Sequence, residues 1–447
     1  MKRIGYKNLR KGDEAAITGF KTTWMSIMCC LISSCTTTVI NDGLDVGEEL
    51  NTETPANPAE AQININAYPD RSGNITFNIK ADKITIVWGD GDTEKLSPAG
   101  EETACTHRFF NNLVQNIKVK AENMTDVFFF GSGDEYTGFT ELRFTNCLSL
   151  NSITASAKLL TIIEISDAPV LKKLKIAAAL KSVDFINNLP ALEKLQLTTD
   201  LESVTIKNRS LQEFNYWSSD TQFKSDKLKN LDVSGCPSLV QLSCDRPNLT
   251  SLNVSGCTSL QILTISGTKV ALINVSTCKA LTELNCTATQ ITSLDVSANT
   301  ALEKLICSQN RLTSLNVSRN TALNYLLCSD NQLTELNVTS NKALTYLNCA
   351  NNMLTALNLA NCTALISLAF DSNRLSSISL ANNTALLYVN CKNNNFTAAE
   401  LNNLFLDLPK REISDNATIT IGSNPPDESG TRSCDTSIAS RKRWKVL

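Results

Sequence analysis

The stretch LEKLICSQNRLTSLNVSRNTA, from Leu302 to Ala322, shows the pattern that decides how this chain folds. Eight copies of this unit follow one another every 21 residues, and each begins at a leucine: Leu239, Leu260, Leu281, Leu302, Leu323, Leu344, Leu365 and Leu386. Weaker copies begin at four earlier leucines: Leu150, Leu171, Leu192 and Leu211. A fixed period of this length predicts a solenoid of twelve stacked coils, in which each unit buries its apolar side chains against the next.

Apolar side chains recur at six offsets within the unit, counted from its first leucine as offset 0. In the copy quoted above they are Leu302, Leu305, Cys307, Leu312, Leu315 and Val317, at offsets 0, 3, 5, 10, 13 and 15. The pairs 3 and 5 and 13 and 15 have the two-residue spacing of strands, so we expect two short parallel strands on opposite sides of each coil. No part of the unit has a helical period, and both sides should therefore be extended.

Polar and cysteine residues also form rows along the repeat. Asparagines at offset 8 are predicted to point inward and bond backbone groups, and the Asn and Asp row at offset 14 to form a solvated amide ladder. Of 16 cysteines, eleven fall at offset 5 or in the row of offset 18: Cys147, Cys236, Cys244, Cys257, Cys278, Cys286, Cys307, Cys328, Cys349, Cys362 and Cys391. Side chains in register on parallel strands do not converge, and the chain has no Cys-x-x-Cys pair. We therefore expect buried free thiols rather than disulfides or a metal site.

The pattern L-x-x-L-x-C-x-x-N-x-L over residues 141–396 resembles the leucine-rich repeat. Upstream, residues 62–140 alternate apolar and polar side chains and carry Asp-Gly turn signals, which predicts a small β-sandwich. Trp88-Gly89-Asp90-Gly91, followed by His107-Arg108-Phe109, resembles the PKD-type domain, and this resemblance implies a structural role for His107. The whole chain is similar to bacterial surface lipoproteins with 21-residue repeats that follow a PKD-like domain.

The two ends of the chain complete the predicted organisation. An apolar run preceded by positive charge ends in Ile32-Ser33-Ser34-Cys35, which resembles a bacterial lipobox and implies lipidation of Cys35. We therefore expect a signal peptide over 1–35 and a flexible acidic linker over 36–61. The expected location is the bacterial cell envelope, at the outer membrane or cell surface, with the lipid anchor as the only membrane contact. Residues 397–447 read as a small α/β cap.

Composition excludes several classes of function. Lys and Arg number 41 against 44 Asp and Glu, so no basic excess exists to hold a nucleic acid. His107 is the only histidine, which argues against histidine-rich metal sites and histidine-based triads. Asp90, Asp92 and Glu94 faintly resemble a calcium loop, but Lys95 stands where the loop requires glycine, so a hairpin turn is the better reading. We expect a monomeric non-enzyme without cofactor or metal.

The remaining candidate is a binding surface on the main sheet of the solenoid. In leucine-rich repeats the residues at offsets 2, 4 and 6 face outward, and four units place large or charged residues there: Lys304, Ile306, Tyr325, Leu327, Tyr346, Tyr388 and Lys392. The unit that begins at Leu211 carries an insertion around residues 217–226, and Trp217 on this insertion is a second candidate. Tyrosines are enriched at interfaces, so the resemblance implies recognition of a protein or glycan. The alternatives are cross-strand stabilisation, a structural spacer or adhesin stalk, and a glycan-acting enzyme.

Overall fold

The computed structural model describes residues 60–131, 137–216, 226–422 and 433–447. Cys35 and Trp217 lie outside these residues, as does the predicted signal peptide. In the part of the chain that is described, no helix is long and apolar enough to cross a membrane.

The N-terminal region consists of two sheets. Its strands are β1 (Ala61–Tyr68), β2 (Asn74–Lys80), β3 (Lys83–Val87), β4 (Thr93–Leu96), β5 (Glu102–Arg108), β6 (Gln115–Glu122), β7 (Asp126–Phe130) and β8 (Gly138–Thr145). One sheet has the order β8-β1-β6-β3-β4, and the other begins β5-β2-β7, with antiparallel pairing throughout. Alternate apolar side chains point between the sheets, where the ring of Phe77 lies 5.8 Å from Trp88 and 5.7 Å from Phe129. The strands predicted from alternation are confirmed.

The repeat forms a β-solenoid of about eleven turns. Twelve parallel strands make its front sheet: β9 (Ser152–Ala157), β11 (Lys173–Ala178), β12 (Lys194–Thr199), β14 (Glu213–Tyr216), β16 (Gln241–Cys244), β18 (Ile262–Thr264), β19 (Glu283–Asn285), β20 (Lys304–Ile306), β21 (Tyr325–Leu327), β22 (Tyr346–Asn348), β23 (Ser367–Ala369) and β24 (Tyr388–Asn390). Each strand is in register with its neighbour, as in the pairing of Leu305 with Leu326. In the copy that begins at Leu302, the side chains at all six apolar offsets are buried, as the period predicts.

The N-terminal region and the solenoid share their sheets. Strand β7 pairs in parallel with β9, so the sheet β5-β2-β7 continues into the front sheet. Strand β8, which spans the predicted boundary between residues 140 and 141, pairs in parallel with β10 (Ile162–Ile165) on the other side. One hydrophobic core therefore runs from the first region into the coils.

The second side of the coils corrects the prediction of a strand in every coil. Beyond β10, paired strands occur in three coils, as β13 (Ser203–Thr205), β15 (Asn230–Asp232) and β17 (Ser251–Asn253), and later described coils have only isolated bridges that join Asn316, Asn337 and Asn358. The offset-14 side chains turn the chain locally both in a coil that keeps a paired strand, as at Asn253, and in the later coils. In Asn316, for example, Oδ1 accepts the backbone N–H of Ser318 at 3.0 Å. The predicted amide ladder at this offset is therefore wrong.

A 3₁₀ helix (Asp184–Asn188) also interrupts the second side, where the repeat pattern predicted extended chain. It lies in the coil that begins at Leu171, one of the weaker copies of the repeat. The backbone N–H groups of Ile186 and Leu189 close its turns on the carbonyls three residues earlier.

The asparagines at offset 8 form the predicted inward ladder. Asn352 donates from Nδ2 to the carbonyls of Cys328, Cys349 and Ala350 at 3.0–3.1 Å and accepts the N–H of Leu333 at 2.9 Å. The residue just before each of these asparagines has positive φ, as at Asn351 (φ 53°), so the chain turns sharply there. The ladder thus satisfies backbone groups that this turn leaves without sheet partners.

The chain after residue 396 adds two helices and two strands. Helix α1 (Ala398–Asp407) begins at Thr397, whose hydroxyl accepts the N–H of Glu400, and helix α2 (Ser437–Arg441) is short. Strands β25 (Thr418–Thr420) and β26 (Lys445–Val446) pair successively onto β24 and extend the front sheet, and a 3₁₀ turn (Ile413–Asp415) precedes them. The predicted helices and strands of this segment are present.

Candidate functional site

Two tyrosine rings stack on the outward face of the front sheet. Tyr325 and Tyr346 occupy offset 2 of adjacent coils and pair in register. Their ring centroids lie 4.7 Å apart with planes inclined by 21°, which is the side-by-side placement that a shared offset on adjacent coils predicts. The spacing follows from the strand separation, because parallel strands repeat at about 4.8 Å and carry their side chains with them.

A lysine and a glutamate extend this stack toward earlier coils. The Nζ of Lys304 lies 5.7 Å from the ring centroid of Tyr325 and 2.9 Å from the Oε1 of Glu283. Burial raises the pKa of Tyr325 to about 12, with further contributions from Tyr346 and Glu283. The phenol is therefore neutral at physiological pH, and it offers a ring and a hydroxyl rather than a charge.

Leu327 and Ile306 pair in register at the next outward offset, beside the stack. We call Lys304, Ile306, Tyr325, Leu327 and Tyr346 the tyrosine patch, and each of these residues is half-buried. The structure thus brings five of the predicted residues together on three adjacent coils. Their exposed parts form a surface that is apolar at its centre and charged at one margin.

Two of the other predicted residues stand apart from the patch. Tyr388 lies two coils beyond Tyr346, with Ser367 between them in the same register, and it is 48% exposed. Lys392 is half-buried at offset 6 of the same coil as Tyr388. Trp217 is outside the described residues.

Sequence reasoning missed two residues of this face. Glu283 has the polar side chain that is common at outward offsets of this sheet, but it pairs with Lys304. Ile366 is 41% exposed at offset 1, which is not one of the outward offsets 2, 4 and 6. The sequence does contain a signal for Ile366. The three preceding coils have polar residues at offset 1, Glu303, Asn324 and Thr345, which indicates that this position faces solvent.

One cluster in the N-terminal region has the donor atoms of a metal site. The Nε2 of His107 lies 2.7 Å from a carboxylate oxygen of Asp90 and 4.0 Å from one of Asp92, and one ligand atom from each lies within 4.8 Å of the others. The imidazole stacks on Trp88 at 4.9 Å, which fixes its orientation. A hydrogen bond between His107 and Asp90 and this ring contact account for the arrangement without a metal.

The cysteines described in the repeat are buried free thiols. Burial raises the pKa of Cys286 and Cys349 to about 12 and that of Cys307 well above its ordinary value. A thiol reacts as its thiolate, so these side chains are unreactive packing groups in the folded protein.

These features define a leucine-rich-repeat β-solenoid. No family profile and no curated protein matches the chain. The functional domain of InlJ from Listeria monocytogenes, which includes a cysteine ladder, is 24% identical, with a TM-score of 0.42 over 64% of this chain and 61% of that one. A leucine-rich-repeat protein of Leptospira interrogans is 19% identical, with a TM-score of 0.48 over 68% and 91% of the two chains.

An internalin from Listeria monocytogenes is 17% identical, with a TM-score of 0.39 over 58% of this chain and 79% of that one. This chain covers 61% of the InlJ domain described above, which is less than two thirds of its length.

Proposed function

We propose that this protein is a non-catalytic binding protein that recognises a protein ligand through the tyrosine patch. The observation that carries the proposal is the stack of Tyr325 and Tyr346, with Lys304 over the outer side of the first ring. Tyrosine combines a large contact area with a polar tip and few rotatable bonds, so it loses little entropy when an interface forms.

The patch differs from the rest of the front sheet. In the coils before it, the outward side chains at offsets 2 and 4 are mostly polar, such as Gln241, Ser243 and Thr264. Cross-strand stabilisation alone does not require the change, because those coils pair in the same register without aromatic rings. A local group of apolar side chains on an otherwise polar face is typical of a contact surface.

A selection experiment tests this function. A phage-displayed library of linear peptides is selected on the purified wild-type chain, and bound peptides are measured against variants. Tyr325→Ala/Tyr346→Ala should weaken binding by about 2 kcal/mol or more, because truncating a central aromatic residue removes most of its contact. Lys304→Ala, at the margin, should change it by less than about 1 kcal/mol.

Gln241→Ala, on the same sheet but away from the patch, is the control and should change nothing. Binding that survives in the folded double tyrosine variant would place the site elsewhere. A chain that selects no peptide and retains no glycan on an array would instead favour the structural spacer.

We further propose that the protein is exported and held at the bacterial cell envelope by a lipid on Cys35. The support is the sequence alone, an apolar run that ends in Ile32-Ser33-Ser34-Cys35. Cys35→Ala should move the protein from the membrane fraction to the soluble fraction, and it should end incorporation of radiolabelled palmitate. Equal labelling of the variant and of a Cys434→Ala control would exclude the lipobox.

The domain roles are proposals of the same kind. We propose that residues 62–140 are a PKD-like domain, supported by the stacking of His107 on Trp88 and its bond to Asp90. We propose that residues 397–447 cap the last coil of the 141–396 solenoid, supported by the two strands that extend the front sheet there. A cap of this kind protects the backbone groups of an exposed edge.

A further inference from the structure

The stack of aromatic rings on the front sheet is interrupted at one coil. Tyr325, Tyr346, Ser367 and Tyr388 follow one another in register at the same outward offset. Three of the four carry a phenol ring, and Ser367 stands where the third ring of a continuous stack would lie. At offset 4 of the same coil the side chain is again small, Ala369. A slot therefore opens between Tyr346 and Tyr388, with Ser367 and Ala369 as its floor.

The width of this slot matches one aromatic ring. Two strand spacings separate Tyr346 from Tyr388, about 9.6 Å. A ring midway between them would lie about 4.8 Å from each, close to the 4.7 Å measured between Tyr325 and Tyr346. Rings prefer such separations when they stack, so a ring in the slot would complete a four-ring stack at the spacing that the sheet already imposes.

The slot is also open to a partner. Tyr388 is 48% exposed, and Ile366, which precedes Ser367 on the same coil, is 41% exposed. Among the described residues of the repeat, few other large apolar side chains reach this exposure. The slot thus has an apolar wall and an apolar rim that the chain's own side chains leave in contact with solvent.

Charge complementarity identifies the class of occupant. The outward residues at offsets 2 and 4 of these coils are uncharged: Tyr346, Asn348, Ser367, Ala369, Tyr388 and Asn390. At offset 6 of the coil that carries Ser367, Asp371 is buried and accepts the Nδ2–H of Asn390 at 2.8 Å. Lys392, at offset 6 of the same coil as Tyr388, interacts with the carboxylate of Asp371. The surface at offsets 2 and 4 is neutral and complements an uncharged ring better than a phosphate, sulfate or carboxylate.

The amides beside the slot also disfavour a sugar. The Oδ1 of Asn348 accepts the N–H of Ala350 at 3.0 Å, and the Nδ2 of Asn390 is bonded to Asp371. A pyranose that entered the slot would bring several hydroxyl groups, and each would lose water without an assured protein partner. An aromatic side chain brings at most one such group.

We propose that the slot between Tyr346 and Tyr388 takes one aromatic side chain, Phe, Tyr or Trp, from a protein partner. This rests on the proposed function, because the partner is the one that contacts the tyrosine patch. The ring enters over Ser367, stacks between the two tyrosines and contacts Ile366 at the rim.

Filling the slot tests the proposal. Ser367→Tyr places a ring in the gap at the natural stacking distance, so the variant should fold normally while the slot is closed to a partner. Gln241→Tyr is the matched control, because it adds the same ring at the same outward offset on a distant coil. Linear peptides selected from a phage-displayed library on the wild-type chain serve as probes.

We expect the selected peptides to share one aromatic residue, whose replacement by alanine weakens binding at least 30-fold. Ser367→Tyr should weaken binding at least 10-fold, and Gln241→Tyr should leave it unchanged. Peptides without an aromatic residue, or peptides that bind Ser367→Tyr as tightly as wild type, would overturn the slot. Glycans on an array whose retention Ser367→Tyr abolishes would overturn it in favour of a sugar.

The same variants distinguish failure of the slot from failure of the proposed function. Binding lost in Tyr325→Ala/Tyr346→Ala but kept in Ser367→Tyr would refute the slot and leave the function standing. Binding kept in both folded variants would refute the function as well.

Discussion

The two sides of the later coils differ in how fully their buried asparagine side chains are hydrogen-bonded. On the front side, the offset-8 asparagine uses both ends of its amide: Asn352 donates to three carbonyls and accepts one N–H. On the second side, the offset-18 asparagine uses one end. Asn320 donates from Nδ2 to the carbonyls of Val296 and Asn299, while its buried Oδ1 has no hydrogen-bond partner among the described residues.

This difference in hydrogen bonding explains which residues occur at offset 8 and which at offset 18. Cysteine alternates with asparagine at offset 18, where a thiol can still donate, as Cys257 does to the carbonyl of Val233 at 3.1 Å. At offset 8 of the regular later coils no cysteine occurs, because a thiol cannot serve a donor and several acceptors together. The front side of the coils from Leu302 onward therefore uses an amide at offset 8 in every copy, and the second side requires only a small donor.

The largest expected effect concerns the thiols behind the front sheet. Burial raises their pKa above the unfolded value near 9, as for Cys286 and Cys349, so folding holds each thiol in its protonated form. Stability is then fully present below the unfolded pKa and falls as pH rises toward 12. One pH unit above the unfolded pKa, each thiol should cost about 1.4 kcal/mol, and the six of the front row about 8 kcal/mol.

Denaturant unfolding under reducing conditions at pH 8 and pH 10 measures this dependence. Cys307→Ala should make the decline between pH 8 and pH 10 smaller by about 1.4 kcal/mol, because it removes one titrating group. An unchanged slope in this variant would show that its thiol does not contribute, and disulfides or metal in the row would become the better account.

The second prediction sets the two asparagine rows against each other. Asn352→Ala removes four hydrogen bonds and leaves the N–H of Leu333 without its acceptor, so it should reduce the free energy of unfolding by about 3–4 kcal/mol. Asn320→Ala removes two and should cost about 1–2 kcal/mol. Urea unfolding of the two single variants checks the order. Equal losses would refute the distinction between the rows.

The smallest effect on the free energy of unfolding should come from replacing asparagine by cysteine at offset 18, where the repeat itself uses both residues. Asn320→Cys keeps one donor toward Val296 and removes a carbonyl oxygen that lacks a protein partner, so the unfolding free energy should change by less than about 1 kcal/mol. Asn352→Cys is its counterpart on the front side and should behave like Asn352→Ala. A large loss in Asn320→Cys would mean that the oxygen has a role which the described contacts do not reveal.

The candidate site was only partly predictable. The period placed Tyr325 and Tyr346 at the same offset of adjacent coils, and strand spacing then fixed their stacking distance. It could not show that Glu283 reaches Lys304 or that Ile366 is exposed. Both depend on how side chains at neighbouring offsets are covered, and the coil period does not encode this.

The sequence by itself determined the coil. A 21-residue period with apolar side chains two apart allows few ways to bury them, so the inward residues and the offset-8 ladder followed. Only the tertiary structure decided that both sheets of the first region run on into the solenoid. This outcome depends on which free strand edges lie beside each other, and that is set only when the first region and the first coils pack together.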